Sequence, residues 1–236
     1  MNTVICDILI NVLSDFIFVI FVAVLALIAY WGVRVVALDP ASCFFGFTIR
    51  ESGKIYISGF KHPGLRTGRA VNAFEYEAAS SLRNSLRPSY LASLPFRLLG
   101  FLARVIGQDL PLPDWHIEVA PLDPVHQAPN ARSIIVIGGP VANQLAAFFL
   151  SDTPHFKFKF NSETGRYEEW HKDEYRPIDR SQGVAVIEKR IFGETTVILT
   201  HGYGEEQTSH AVEYLKRNWR TLYKKFGKDE FAIRVD

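Results

Sequence analysis

The chain has 236 residues, 48% of them hydrophobic and 22% charged, with a net charge of +1 and two cysteines. That is one to two domains' worth of chain, and the balance excludes a disordered protein, a collagen-like repeat and a strongly polybasic nucleic-acid arm. Two cysteines are too few for a disulfide scaffold. Hydrophobicity is unevenly spread: residues 1–37 hold only three charges, Asp7, Asp15 and Arg34. The sequence therefore divides into a greasy N-terminal segment, 1–37, and a soluble domain, 38–236.

Residues 16–33 read FIFVIFVAVLALIAYWGV, eighteen residues without a charge. At ~1.5 Å per residue, with the flanks added, this helix is expected to cross a ~30 Å hydrocarbon core. A buried helix of a soluble protein seldom runs so long without a polar face. A signal peptide wants a positive n-region and a shorter apolar core. The N-terminal flank carries Asp7 and Asp15 but no Lys or Arg, and the other flank carries Arg34, Arg50 and Lys54. The positive-inside rule then predicts a single-pass protein of the cell inner membrane, N-terminus outside and domain in the cytoplasm. Tyr30 and Trp31 fall where an interfacial aromatic belt would lie, and Cys6 and Cys43 flank opposite ends of the span.

Before the apolar core, Asp7, Asn11, Ser14 and Asp15 recur at helical spacing on one face, which continues through Phe18 and Val22. One reading is an amphipathic stretch in the outer headgroup layer. The other is a pore in a homo-oligomer, a tetramer first, lined by Asp7, Asn11, Asp15, Phe18 and Val22. Intramembrane carboxylates usually face a cavity or a partner, and apolar constrictions can gate by dewetting.

In chain order, Asp39-Pro40 reads as the helix end and the start of a linker. Residues 44–50 and 54–58 read as a hairpin around Glu51-Ser52-Gly53, and 61–70 as a basic loop. Helical spacing runs through Val71, Phe74, Ala78, Leu82 and Leu86, and a second helix is expected over 91–106. Then come a strand at 115–120, a polar loop at 127–130, a buried-type strand at 133–137 and a helix at 141–150. Residues 156–160 (FKFKF) alternate as an edge or half-exposed strand. Residues 183–192 and 195–200 form a strand pair around Gly193. An amphipathic helix spans 207–226 and a last strand 231–235. This alternation predicts an α/β fold, a Rossmann-like domain preceded by one transmembrane helix.

Two glycine loops stand out. Gly138-Gly139-Pro140-Val141-Ala142-Asn143 follows the 134–137 strand and opens a helix. His201-Gly202-Tyr203-Gly204 follows the 197–200 strand and precedes the last long helix. Ligands of open α/β sheets bind beyond the carboxyl ends of the strands, where helix N-termini favour phosphate or another anion. The candidate ligand residues are therefore Gly138, Gly139, Pro140, Asn143, His201, Gly202, Tyr203 and Gly204. Neither loop is a dinucleotide fingerprint or a Walker A loop, and the plainer reading is two tight turns that need glycine.

Catalytic signals are thin. His201 beside Thr200 invites a base, with Glu205 or Glu206 as partners, but acidic residues at a helix start also complement its dipole. His116, His126, His155, His171 and His210 lack metal-ligand spacing, so no metal or cofactor is expected. Arg66, Arg69, Arg83 and Arg87 are candidate phosphate contacts should the ligand be an oligonucleotide; the plainer reading is solvated surface near anionic lipid.

The stretch SIIVIGGPVANQLAAFFL, followed by TVILTHGYGEEQTSHAVEYL, resembles a family of prokaryotic sensor domains that pair a strand ending in GGPxxN with a later strand ending in a GYG-type turn. Gly138, Gly139, Pro140 and Asn143 match the first part, and Gly202, Tyr203 and Gly204 the second; Glu205 stands where that family tends to have Thr. The match covers roughly the last hundred residues. The layout of one N-terminal helix on such a sensor also resembles membrane effectors of antiviral defence, either the CRISPR-associated ones that sense cyclic oligoadenylate or the Hailong effector controlled by a DNA oligomer. Layout alone does not fix function.

Three functional readings follow. The first is a membrane-anchored homo-oligomeric effector whose domain binds a nucleotide or short oligonucleotide and gates a transmembrane pore. The second is a membrane-tethered nucleotide or sugar-nucleotide hydrolase using His201. The third is an interaction domain that the helix merely anchors.

Overall fold

The computed structural model describes residues 2–33, 39–46, 52–61, 69–86, 115–124, 131–151, 157–161, 163–179 and 183–235. The chain falls into two compact units, Met1–Asp39 with Pro88–Leu110, and Pro40–Arg87 with Pro111–Asp236. The expected helix at 91–106 and the polar loop at 127–130 lie outside the described residues, as do Arg66 and Arg87.

In the first unit, α1 (Asn2–Val33) runs unbroken over 32 residues. It contains Asp7, Asn11, Asp15, Phe18 and Val22, and its continuity keeps their spacing on one face. Phe16, Phe18, Phe21, Leu25 and Ile28 project around it, all exposed. Among the described residues, no helix is long and apolar enough to cross a membrane.

The second unit is α/β. Its main sheet has six strands in the order β11-β9-β10-β5-β1-β4. These are β1 (Gly53–Ile57), β4 (Trp115–Val119), β5 (Ser133–Ile137), β9 (Ala185–Phe192), β10 (Thr195–Gly202) and β11 (Phe231–Val235). β4, β1, β5 and β10 run parallel, and β9 pairs antiparallel with both β10 and β11. Every residue of β5 is buried, because both of its faces are covered. Ile135 and Ile137 join the core under α3 (Ala73–Leu86) and under the long helix α5 (Glu205–Phe226). Ile134 and Val136 join the opposite core, with Leu145, Ala146 and Leu150 of α4 (Gln144–Ser151). A continuous β-branched run is what a strand buried on both sides requires. Two small sheets complete the unit: β2 (Gly59–Lys61) with β3 (Arg69–Val71), and β6 (Phe158–Asn161), β7 (Arg166–His171) and β8 (Glu174–Pro177).

Four expectations are corrected. Asp39-Pro40 does not open a linker but begins a short helix, α2 (Asp39–Phe45); proline suits a first helical turn, whose N–H groups have no intrahelical partner. The hairpin of 44–50 with 54–58 does not form. Phe44 and Phe45 are helical and buried, and β1 has parallel neighbours on both sides. The helix placed at 141–150 begins at Gln144, because Gly139 to Ala142 make a turn in which Ala142 N and Asn143 N both donate to Gly139 O. Lys61, Arg69 and Ala70, expected in the basic loop 61–70, instead lie in the paired strands β2 and β3, and 62–68 lie outside the described residues.

Candidate functional site: a cleft at the carboxyl ends of the parallel strands

After β1 the chain passes through α3, on one face of the sheet, to β4. After β5 it passes through α4, on the other face, and reaches β10 on the other side. The chain therefore departs in opposite directions from the neighbours β1 and β5. In open α/β sheets that reversal leaves a crevice beyond the strand ends. A cleft of about 280 Å³ opens here, lined by Asn72, Glu75, Gly139–Ala142, Tyr167, Gly202–Glu205 and Thr208.

The two glycine loops meet at this point. Gly138 N donates to Thr200 O at 3.0 Å, joining the end of β5 to the end of β10. Gly138 has φ +109°, a conformation that L side chains rarely adopt, and a Cβ there would overlap Glu75 Oε1. Gly139, Pro140, Gly202, Tyr203 and Gly204 line the cleft, and Gly138 sits against its Glu75 wall.

Besides Gly138, two of the expected ligand residues do not line it. Asn143 is 0% exposed; its Nδ2 donates to Ile137 O at 2.9 Å and its Oδ1 accepts from Leu145 N at 3.0 Å. Its side chain caps α4 and ties that helix to β5, the ordinary task of an N-cap asparagine. His201 is also 0% exposed, with both ring nitrogens buried and without a hydrogen-bond partner. Its ring stacks on Tyr167 at 5.2 Å and 22°. Burial pushes the imidazole down to about 4, because charging it would strand a cation away from water. His201 is a neutral core residue, and Tyr167 rather than His201 lines the cleft.

Tyr167 and Tyr203 form the rigid wall. Their rings meet edge to face at 4.9 Å. Tyr203 Oη accepts from Tyr167 N at 2.7 Å and donates to Ile178 O at 3.2 Å, while Tyr167 Oη donates to Gly202 O at 3.3 Å. Phe158 and Tyr167 of the three-stranded sheet, with Ile178 just after β8, pack with Val184 and Val186 of the β9 region, which holds this wall in place.

The opposite wall was not legible in advance. Asn72 Oδ1 accepts from Phe74 N at 2.9 Å, capping α3, and its Nδ2 donates to Glu205 Oε1 at 2.9 Å. That pair joins the start of α3 to the start of α5. Glu75 stands three residues after Asn72, the spacing of a capping box. It does not turn back to the cap. Its carboxylate instead accepts from Ser58 N at 2.6 Å and Ser58 Oγ at 2.7 Å, at the end of β1. Glu75 is only 5% exposed. Burial raises its pKa, the Ser58 hydrogen bonds oppose that, and the neighbouring Glu205 charge adds to it.

Of the candidate phosphate contacts, Arg69 lies in β3 and Arg83 is half-buried on α3. No Lys or Arg lines the cleft among the described residues, and among them no cluster of three His, Cys, Asp or Glu is placed to hold a metal. A larger hollow of about 420 Å³ runs along α5 past Phe74, His210 and Tyr214, away from both glycine loops. No protein-family model, curated protein or solved structure matches this chain.

Proposed function

We propose that this protein is a membrane-anchored sensor of antiviral-defence type, whose Rossmann-like α/β unit binds a nucleotide or short oligonucleotide and whose N-terminal helix spans the inner membrane. The observation that carries the reading is the cleft: two glycine loops and the starts of α3 and α5 meet beyond the ends of β1, β5 and β10. Backbone at glycine admits a ligand closely, and helix starts present N–H groups. Support for the membrane role comes from α1, whose large apolar side chains are exposed around the helix. Each such side chain favours a non-aqueous surrounding by about 1.5–3 kcal/mol, so lipid or a bundle of like helices is its natural environment. The stripe from Asp7 through Asn11 and Asp15 then faces the axis of a homo-oligomer, with Phe18 and Val22 as the constriction.

The hydrolase reading needed His201 as an accessible base. That ring is buried behind Tyr167, away from the cleft. The test is native mass spectrometry of the full-length protein purified in detergent, with nucleotide analysis of what is released. A homo-oligomer carrying a nucleotide is the expected result. A ligand-free monomer would overturn it.

A further inference from the structure

We infer that the cleft seats a ribose, so that the ligand is a ribonucleotide rather than a deoxyribonucleotide; this rests on the nucleotide reading above. The cavity's side-chain donors are almost all committed within the protein. Asn72 spends its amide on Phe74 N and Glu205. Tyr167 Oη gives its proton to Gly202 O, and Tyr203 Oη gives its own to Ile178 O. Of the other polar side chains that line the cavity, Glu75 and Glu205 bring carboxylate acceptors and Thr208 a single hydroxyl. An ionised carboxylate has about four lone-pair sites; Ser58 takes two at Glu75, and Asn72 takes one at Glu205.

A group seated between these carboxylates must donate hydrogen bonds. A phosphate only accepts, and like charge repels it from this wall, so it belongs on the glycine-loop side. A ribose meets the requirement with two neighbouring hydroxyls, one for each carboxylate, whereas a 2′-deoxyribose has one donor fewer. Ser58 and Asn72 hold both acceptors in place before the ligand arrives, so little ordering opposes binding. A hydrogen bond to a charged acceptor changes affinity by about 10- to 100-fold when its donor is deleted.

The test measures binding of matched ribo- and 2′-deoxyribo forms of nucleoside 5′-monophosphates to the full-length protein in detergent, by calorimetry. The ribo form is expected to bind about 10- to 100-fold more tightly, and the preference to shrink in Glu205→Gln and Glu75→Gln. Glu205 is exposed, so Glu205→Gln keeps the test valid if loss of the Ser58 latch unfolds Glu75→Gln. Equal affinity for both sugars would overturn the ribose assignment and leave the nucleotide reading standing. A preference unchanged in folded Glu205→Gln and Glu75→Gln would overturn the role of these carboxylates. No binding of any member by the wild type would overturn the nucleotide reading, and the ribose with it.

Discussion

The two ends of the same parallel strands have opposite chemistry. At the carboxyl ends, backbone loops, carboxylates and tyrosine hydroxyls surround a cleft. At the amino ends, where the chain comes in through α2, aromatic rings fill the space. Phe45 meets Trp115, the first residue of β4, at 5.3 Å and Trp219 of α5 at 5.6 Å; Phe44 stacks on Phe231, the first residue of β11, at 5.8 Å. Lys189 is buried beside them, 5.2 Å from the Phe44 ring, donating to Lys228 O at 2.9 Å; burial pushes its amine down to about 8. Gly46 closes the turn so tightly that a Cβ would overlap Thr196 Oγ1 at the start of β10. The amino end is a clamp and the carboxyl end a receptacle.

The largest expected effect tests the clamp. Phe45→Ala removes a ring buried among aromatics and should cost about 3–5 kcal/mol of stability in denaturant unfolding, with nucleotide affinity of the folded fraction unchanged. A loss below about 1 kcal/mol would show that α2 does not grip the unit.

Gly138→Ala tests the receptacle. It forces a non-glycine residue to φ +109° and pushes against Glu75. The expected cost is about 1–3 kcal/mol, with ligand affinity falling because the Glu75–Ser58 latch is displaced. Unchanged affinity in calorimetry would detach the glycine loop from the site.

The smallest effect sharpens the comparison beneath the cleft. His201 titrates at about 4 when folded, against 6.5 when free. Its stability contribution is therefore fully present above pH 6.5 and is lost as pH falls from 6.5 toward 4. His201→Phe keeps a ring against Tyr167 and removes the titration. Between pH 7 and pH 5 the wild type should lose about 2 kcal/mol relative to this variant. Glu188, raised to about 7 mainly by burial, has the opposite slope: its contribution is present below its free value of 4.5 and is lost as pH rises through 7. Both proteins share that slope, so their difference isolates His201. Parallel stability–pH curves would mean the imidazole is solvated.

Local pattern was informative where one element's chemistry sufficed. Ser133–Ile137 reads as a doubly buried strand and is one. The stripe through Ala211, Leu215, Trp219 and Leu222 reads as one helix face and packs as one. Gly193 marks the turn between β9 and β10. The pattern misled at Phe44 and Phe45, where an aromatic pair has no period and fits strand or helix alike. β7 and β8 (RYEEWH and EYRP) carry so much charge that only their pairing reveals them as strands.

The sequence by itself determined the apolar N-terminal segment, the α/β alternation and the two glycine loops, because each is a property of neighbouring residues. Tertiary structure decided the rest of the site. Whether His201 or Tyr167 faces the cleft depends on which face of β10 another sheet covers. Whether Glu75 caps its own helix or latches onto Ser58 depends on β1 ending beside α3. Both outcomes turn on burial between elements distant in the chain, and local residue spacing carries no record of that.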